Sequence, residues 1–376
     1  MSTMVPDATV EWLLSSDEPA ARWVALTRLL GRAPDDPDVV TAHRAVLADP
    51  GTLDLIGRLV DWDRPSPLGG HNSAAYTPNL LGLLADMGIE PGDDPRVDAT
   101  IESLVNHQDE KGRLASPAIF SRIGPEPVLS ALLCDSHAIV EVLIRFGKAE
   151  HQAARLALDR MGADLTVTAQ GRAWPCIPHH AFRGPGRKAD VCPQVTVEAL
   201  RTVSLLKADR RPMAPADLLS AAQTILHVWT NRGAEKPYMF GHGISFKTVK
   251  WPPFWYGALA VLDAIGPYRE LWDPSAAGLD PADRKAIAEL AACLVAYNLG
   301  PEGRVTPRSC YRGFEDFSFG QKKLPSPFAT ARVLATLRPF EDLASDIEKV
   351  DVLSLTSSKG GTGMARGPRS GKQSKG

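Results

Sequence analysis

Tyr76-Thr-Pro-Asn-Leu-Leu-Gly-Leu-Leu-Ala-Asp-Met-Gly88 reads as an apolar helix that stops at a glycine, and it has four counterparts further along the chain. They are His137-Ala-Ile-Val-Glu-Val-Leu-Ile-Arg-Phe-Gly147, Val195-Thr-Val-Glu-Ala-Leu-Arg-Thr-Val-Ser-Leu-Leu-Lys207, Trp255-Tyr-Gly-Ala-Leu-Ala-Val-Leu-Asp-Ala-Ile-Gly266 and Phe328-Ala-Thr-Ala-Arg-Val-Leu-Ala-Thr-Leu-Arg338. Their ends fall about sixty residues apart, with about seventy before the last, and a fixed period signals a repeat architecture. Between them lie second helices with a narrower apolar stripe, over 97–108, 152–163, 216–230 and 281–297. The repeating unit is therefore a helical hairpin.

Working outward, Asp93-Asp94-Pro95 and Asp35-Asp36-Pro37 each place an aspartate where it caps a helix and a proline in the first turn. A metal-diphosphate role is the other reading of these acidic pairs, and capping accounts for every residue in them. Each narrow-striped helix is followed by a turn that repeats weakly: Gln108 to Gly112-Arg113, Gly171-Arg172-Ala-Trp174, Arg232-Gly233 and Gly303-Arg304. Glycine there suits a left-handed position, and the adjacent arginine suits the carbonyls at the helix end. Residues 5–65 add helices at 10–15, 20–30 and 39–47, then a Pro-rich connection through Asp61-Trp62-Asp63-Arg64-Pro65. Sustained alternation of apolar and polar residues is nearly absent, so the fold class is all-α. Wide-striped helices alternating with half-exposed ones suit an open solenoid or a closed two-layer ring. The aromatic and Pro-rich loops Phe240 to Phe246 and Trp251-Pro-Pro-Phe-Trp-Tyr256 favour the ring.

The composition agrees with a globular chain: 376 residues, 44% apolar and 23% charged. That length allows one large domain or two medium ones. No window approaches about 18 uninterrupted apolar residues and the first residues lack a signal-peptide pattern, so a cytoplasmic location without a transmembrane segment is expected. Residues 357–376 carry Lys359, Arg366, Arg369, Lys372 and Lys375 and no acid; without those five charges the net charge of −2 becomes −7. Disorder is expected of that Gly/Ser/Lys tail, and an acidic body argues against nucleic acid as the partner. Five cysteines, at 134, 176, 192, 293 and 310, form no tight framework, which argues against structural disulfides.

The hairpins, with Gln108 and Gly112 keeping a Gln-x-x-x-Gly spacing and Gly171 followed by Trp174, resemble the squalene cyclase and protein prenyltransferase group over roughly residues 60–345. Trp251 to Tyr256 and Asp17-Glu-Pro-Ala-Ala-Arg22 are similar to segments of small bacterial proteins described as prenyltransferase/squalene oxidase repeat proteins. The resemblance implies an (α/α) toroid of about five to six helical hairpins, with inner and outer helices around an apolar central cavity. On that reading residues 1–60 are a helical extension packed on the toroid, 61–345 the toroid and 346–376 a disordered basic tail.

The resemblance also implies chemistry, from which the chain departs twice. It has neither the Asp-x-Asp-Asp of protonation-initiated cyclases nor the Asp-Asp-x-x-Asp that holds magnesium on a diphosphate. Protein prenyltransferases use zinc, bound by Asp-x-Cys and a distant histidine, to activate a thiol. Gly184-Pro-Gly186-Arg187-Lys188-Ala-Asp190-Val-Cys192-Pro193 is similar to that family's basic loop and Asp-x-Cys, which implies Asp190 and Cys192 as zinc ligands and Arg187 and Lys188 as partners of a diphosphate. No histidine stands near 253–256, and His242 is the nearest substitute. Cys134, Cys176, His179, His180 and His71 crowd the same end of the hairpins. Cys293, in an apolar stripe, reads as packing. Aromatic residues concentrate after residue 170, and Trp251, Trp255 and Tyr256 either line a ligand cavity or close the rim of the bundle.

The resulting expectation is a prenyltransferase- or terpene cyclase-like toroid that binds an isoprenoid or other apolar small molecule, with possible zinc-assisted transfer and the catalytic residues open. The alternative is a non-catalytic toroid that binds a ligand or a protein.

Overall fold

The structure, a computed structural model, describes residues 5–63, 73–118, 124–126, 128–177, 189–234, 237 and 240–355. It is mainly helical. In chain order the helices are α1 (Asp7–Leu14), α2 (Pro19–Val24), α3 (Pro37–Ala48), α4 (Pro50–Gly57), α5 (Thr77–Met87), α6 (Pro95–Ser103), α7 (Leu133–Arg145), α8 (Gln152–Asp164), α9 (Pro193–Ser204), α10 (Pro215–Thr230), α11 (Ile244–Lys247), α12 (Ala258–Ile265), α13 (Pro281–Asn298), α14 (Pro327–Leu337) and α15 (Ala344–Glu348). A π-helical turn, Ala25–Leu29, continues α2. Eight of these helices begin on a proline, whose missing N–H costs nothing in a first turn. Asp36 and Asp94 accept hydrogen bonds from the amides of Asp38 and Arg96, so the acidic pairs are caps.

Five helices match the apolar runs: α5, α7, α9, α12 and α14. They touch in succession, α5 to α7, α7 to α9, α9 to α12 and α12 to α14. Helix α2 then touches both α14 and α5, so the path of contacts returns to its start. The second helix of each hairpin lies against the first, α8 on α7, α10 on α9 and α13 on α12. Burial follows this division, with every side chain of α9 from Pro193 to Leu200 buried, whereas α8 keeps an exposed face. The N-terminal segment, expected as an extension, thus contributes a member of the central path: Ala20, Ala21, Val24 and Ala25 are all buried.

Among the described residues the strands are few and short. Ser116–Ala118 pairs with Val128–Ser130, Thr166–Thr168 with Gly171–Ala173, and Lys250–Trp251 with Ser309–Cys310. The turns that repeat in the sequence follow the expected pattern in their glycines at two positions and in their arginine at one. Gly112 and Gly303 are left-handed, with φ of +88° and +69°. Only Arg232 reaches a carbonyl at the end of its own helix, that of Trp229 at 2.8 Å. Arg113 instead forks onto Asp164 of α8 at 2.8 and 2.7 Å, and Arg172 meets Asp217 of α10 at 2.7 Å. The turns at Gly112 and Gly171 are thus pinned to the second helix of the next hairpin, α8 and α10.

Residues 346–355, expected as part of the disordered tail, are held against the helices. Asp346 is held by Arg284 of α13 at 2.8 Å, and the Leu355 carbonyl accepts from Lys247 at 2.8 Å. The basic residues of 357–376 lie outside the described residues.

Candidate functional site

The space between α5, α7, α9, α12 and α14 is the place where the resemblance implies an apolar chamber. Its walls are charged. Each surrounding helix carries one or two ionisable side chains within its apolar run, and these pair across the helix boundaries. Arg145 of α7 donates to Asp86 of α5 at 2.6 Å, and Arg201 of α9 donates twice to Glu141 of α7 at 2.9 and 2.6 Å. Arg332 of α14 lies 3.2 Å from Asp86 and donates to Asp263 of α12 at 2.9 Å, while Thr336 donates to Asp263 at 2.6 Å. Arg28 adds a fourth guanidinium, 3.6 Å from Asp86.

These charges are tuned by one another. Burial pushes the Asp86 carboxyl up, but Arg332, Arg145 and Arg28 outweigh it and hold the group well below the usual carboxylate range. Burial and the neighbouring Arg332 lower the Arg28 guanidinium to about 10. The ion pairs nearly fill the space, leaving about 80 Å³. That admits a few waters, whereas pockets for drug-sized ligands run to about 300–1,000 Å³. An apolar chain has neither the room nor the surroundings it needs here.

A larger cleft lies beside this space. About 800 Å³ in volume and mainly apolar, it is bounded by Phe246, Trp255, Tyr256, Leu259, Tyr297 and Tyr311. Trp255 borders both cavities and stacks on Phe240 with ring centroids 6.2 Å apart. Two cations reach the cleft, Lys250 and Arg308, and among the described residues no aspartate or glutamate lines it. The Lys250 ammonium sits 3.6 Å from the centroid of the Tyr311 ring. Parallel pairing of Lys250 with Ser309 brings the two basic residues to the same edge. Trp255 and Tyr256 therefore occupy a cavity wall, whereas Trp251 is fully buried and does not line the cleft. Other loop aromatics pack on one another: Phe314, Phe317, Phe319 and Phe328 form one chain of ring contacts.

The residues implied as zinc ligands have separate partners. Asp190, at the start of the approach to α9, accepts from Gln170 at 3.2 Å. The Cys192 thiol, on the N-terminal cap of α9, is hydrogen-bonded to Cys176, which together with burial pushes it well above the usual thiol range. His242 shares a hydrogen bond with the Tyr256 hydroxyl at 3.1 Å and packs its ring against Phe246. Burial, then Arg232, lowers its imidazole to about 4, so it is neutral at pH 7. Among the described residues no three His, Cys, Asp or Glu side chains are grouped so as to hold a metal ion. Arg187, Lys188, His71, His179 and His180 lie outside the described residues. Cys293 is fully buried in the core, as packing requires.

The ion-pair lattice is the feature that sequence reasoning missed. Its signal was present, because Asp86, Glu141, Arg145, Arg201, Asp263 and Arg332 all interrupt the apolar runs that define the repeat. No protein-family model matches the chain, and no curated protein matches it.

Proposed function

We propose that the chain is an (α/α) toroid that binds a small molecule made of an apolar chain and an anionic head, of which an isoprenoid diphosphate or a fatty carboxylate is representative. The toroid reading is supported by the returning path of contacts through α2, α5, α7, α9, α12 and α14, with a second layer of helices outside it. The ligand reading rests on one observation, the cleft of about 800 Å³ whose aromatic walls carry Lys250 and Arg308 and, among the described residues, no carboxylate. Apolar surface removed from water supplies most of the affinity, at about 25 cal/mol per Å². The cations select the head group and orient the chain. On this reading the charged interior is a strut rather than a binding chamber, and the protein works as a binder without zinc-assisted transfer.

The test is a titration of the purified protein with farnesyl diphosphate, oleate and neutral farnesol, followed by calorimetry. Both anions are expected to bind about tenfold more tightly than farnesol, a gap of about 1.4 kcal/mol. Lys250→Glu with Arg308→Glu should close that gap and leave farnesol binding in place. Absence of binding by all three compounds overturns the reading. Turnover of the diphosphate with stoichiometric zinc, both lost in Cys192→Ser, would replace it with transferase chemistry.

A further inference from the structure

Residues Trp174 to Cys176 and Asp190 to Cys192 run antiparallel ahead of α9. The Cys192 amide donates to the Trp174 carbonyl at 2.8 Å, and Pro175 forms an antiparallel bridge with Val191. In such a pair the side chains of 174, 176, 190 and 192 share one face, and Cys176 and Cys192 become diagonal neighbours on it. Their thiols are in hydrogen-bond contact. Cys134, at the start of α7, is near enough to act on Cys192 electrostatically. Cys293 and Cys310 belong to other environments: the first is enclosed in α13, and the second donates to the Phe319 carbonyl at 3.4 Å.

We propose that Cys176 and Cys192 are an oxidisable dithiol, a modification site that closes to a disulfide when the protein meets a peroxide. Cys176 is the more exposed of the two and is the attacking group. Its thiolate displaces hydroxide from hydrogen peroxide to give a sulfenic acid. The Cys192 sulfur then attacks that sulfur, and the sulfenic oxygen leaves as water once protonated. Two thiols and one peroxide thereby give one disulfide and two waters, the thiols losing two electrons and the peroxide gaining them. The pairing is local, between segments already joined by a backbone bridge. This site is independent of the ligand proposed for the cleft.

The experiment treats the full-length reduced protein with a few equivalents of hydrogen peroxide at pH 7 and pH 8.5, then alkylates it under denaturing conditions and maps the peptides. The expected result is a loss of about 2 Da, a fall from five titratable thiols to three, and a crosslinked peptide joining 176 to 192, all reversed by dithiothreitol. Cys176→Ser should leave four thiols and form no crosslink. A crosslink from Cys192 to Cys134, or oxidation to sulfinic acid without any crosslink, overturns the proposal. The wild-type map alone decides the matter if a cysteine variant fails to fold.

Discussion

Arg332 on the last helix of the central path stands 3.2 Å from Asp86 on α5, so that one guanidinium ties helices from distant parts of the chain. The same group holds Asp263 at 2.9 Å. Only 6% of Arg332 is exposed. Removing one partner from a buried pair leaves an uncompensated charge, which costs about 3–5 kcal/mol. Arg332→Leu is therefore expected to lower the unfolding free energy by about that much at pH 7 in urea titration. Asp86 keeps Arg145 in the variant, so the loss falls mainly on Asp263. An unchanged midpoint would show that the lattice is not a strut.

Acid should weaken the fold in two stages. His137 and His242 are each lowered to about 4, chiefly by burial, against an ordinary value of 6.5. Between those values the unfolded chain binds protons that the folded chain refuses, so stability is full above about pH 6.5 and declines as pH falls towards 4. Each histidine adds a slope of about 1.4 kcal/mol per pH unit within that window. Asp86, held below the ordinary carboxylate value, stabilises above about pH 4 and loses that contribution only in stronger acid. Urea midpoints measured from pH 7 to pH 4 should fall steeply, and His137→Phe should reduce the slope by about half.

Three glycines separate close approach from open space. At Gly320 an added Cβ would overlap the backbone carbonyl of Phe314, and at Gly171, with φ of +142°, it would overlap the Thr224 hydroxyl. Gly57, at the end of α4, has nothing within 4 Å. Overpacking of this kind costs about 1–3 kcal/mol and more where backbone must move. Gly320→Ala should accumulate little folded protein, Gly171→Ala should lose about 1–3 kcal/mol, and Gly57→Ala should be neutral or stabilising by up to about 1 kcal/mol. Thermal melts of the three variants check the order.

Glu18 fastens the N-terminal segment to the end of the chain. It accepts from the Ser318 hydroxyl at 2.7 Å and from the Phe328 amide at 3.2 Å. Burial raises its carboxyl despite both hydrogen bonds. Glu18→Ala strands the Phe328 amide and leaves Ser318 with Ser326 alone, which should cost about 1–3 kcal/mol, whereas Glu18→Gln should recover part of the loss. Limited proteolysis should cut the alanine variant within the first thirty-six residues well before wild type, since α2 and its π-helical turn then open. Equal cleavage of both proteins would contradict the fastening.

The hairpins were legible because periodicity survives in a single sequence. The stretch 152–163 became Gln152–Asp164, 216–230 became Pro215–Thr230 and 281–297 became Pro281–Asn298. Helix α4 was missed, since Pro50-Gly-Thr-Leu carries the composition of a turn, yet Asp49 caps it by accepting from Thr52 at 2.8 Å. The site was less legible. Trp255 and Tyr256 line a cavity, but Trp251 shares their segment and points into the core, because a loop has no period to assign faces. Arg145 and Arg201 each pair with a residue about sixty positions earlier, Asp86 and Glu141. The repeat in the sequence is thus also a repeat in the contacts, which no reading of one helix at a time could have found.

The fastening at Glu18 has a consequence for biosynthesis. Its partners lie 300 and 310 residues further on. At about 5–20 residues per second, the emerging α2 waits on the order of 15–60 s for Ser318 and Phe328 to be made. Throughout that interval the small apolar surface of Ala20, Ala21 and Val24 has no α14 to lie against. A nascent chain stalled before residue 327 exposes a sticky edge at its oldest end, and release of α14 from the ribosome is what retires it.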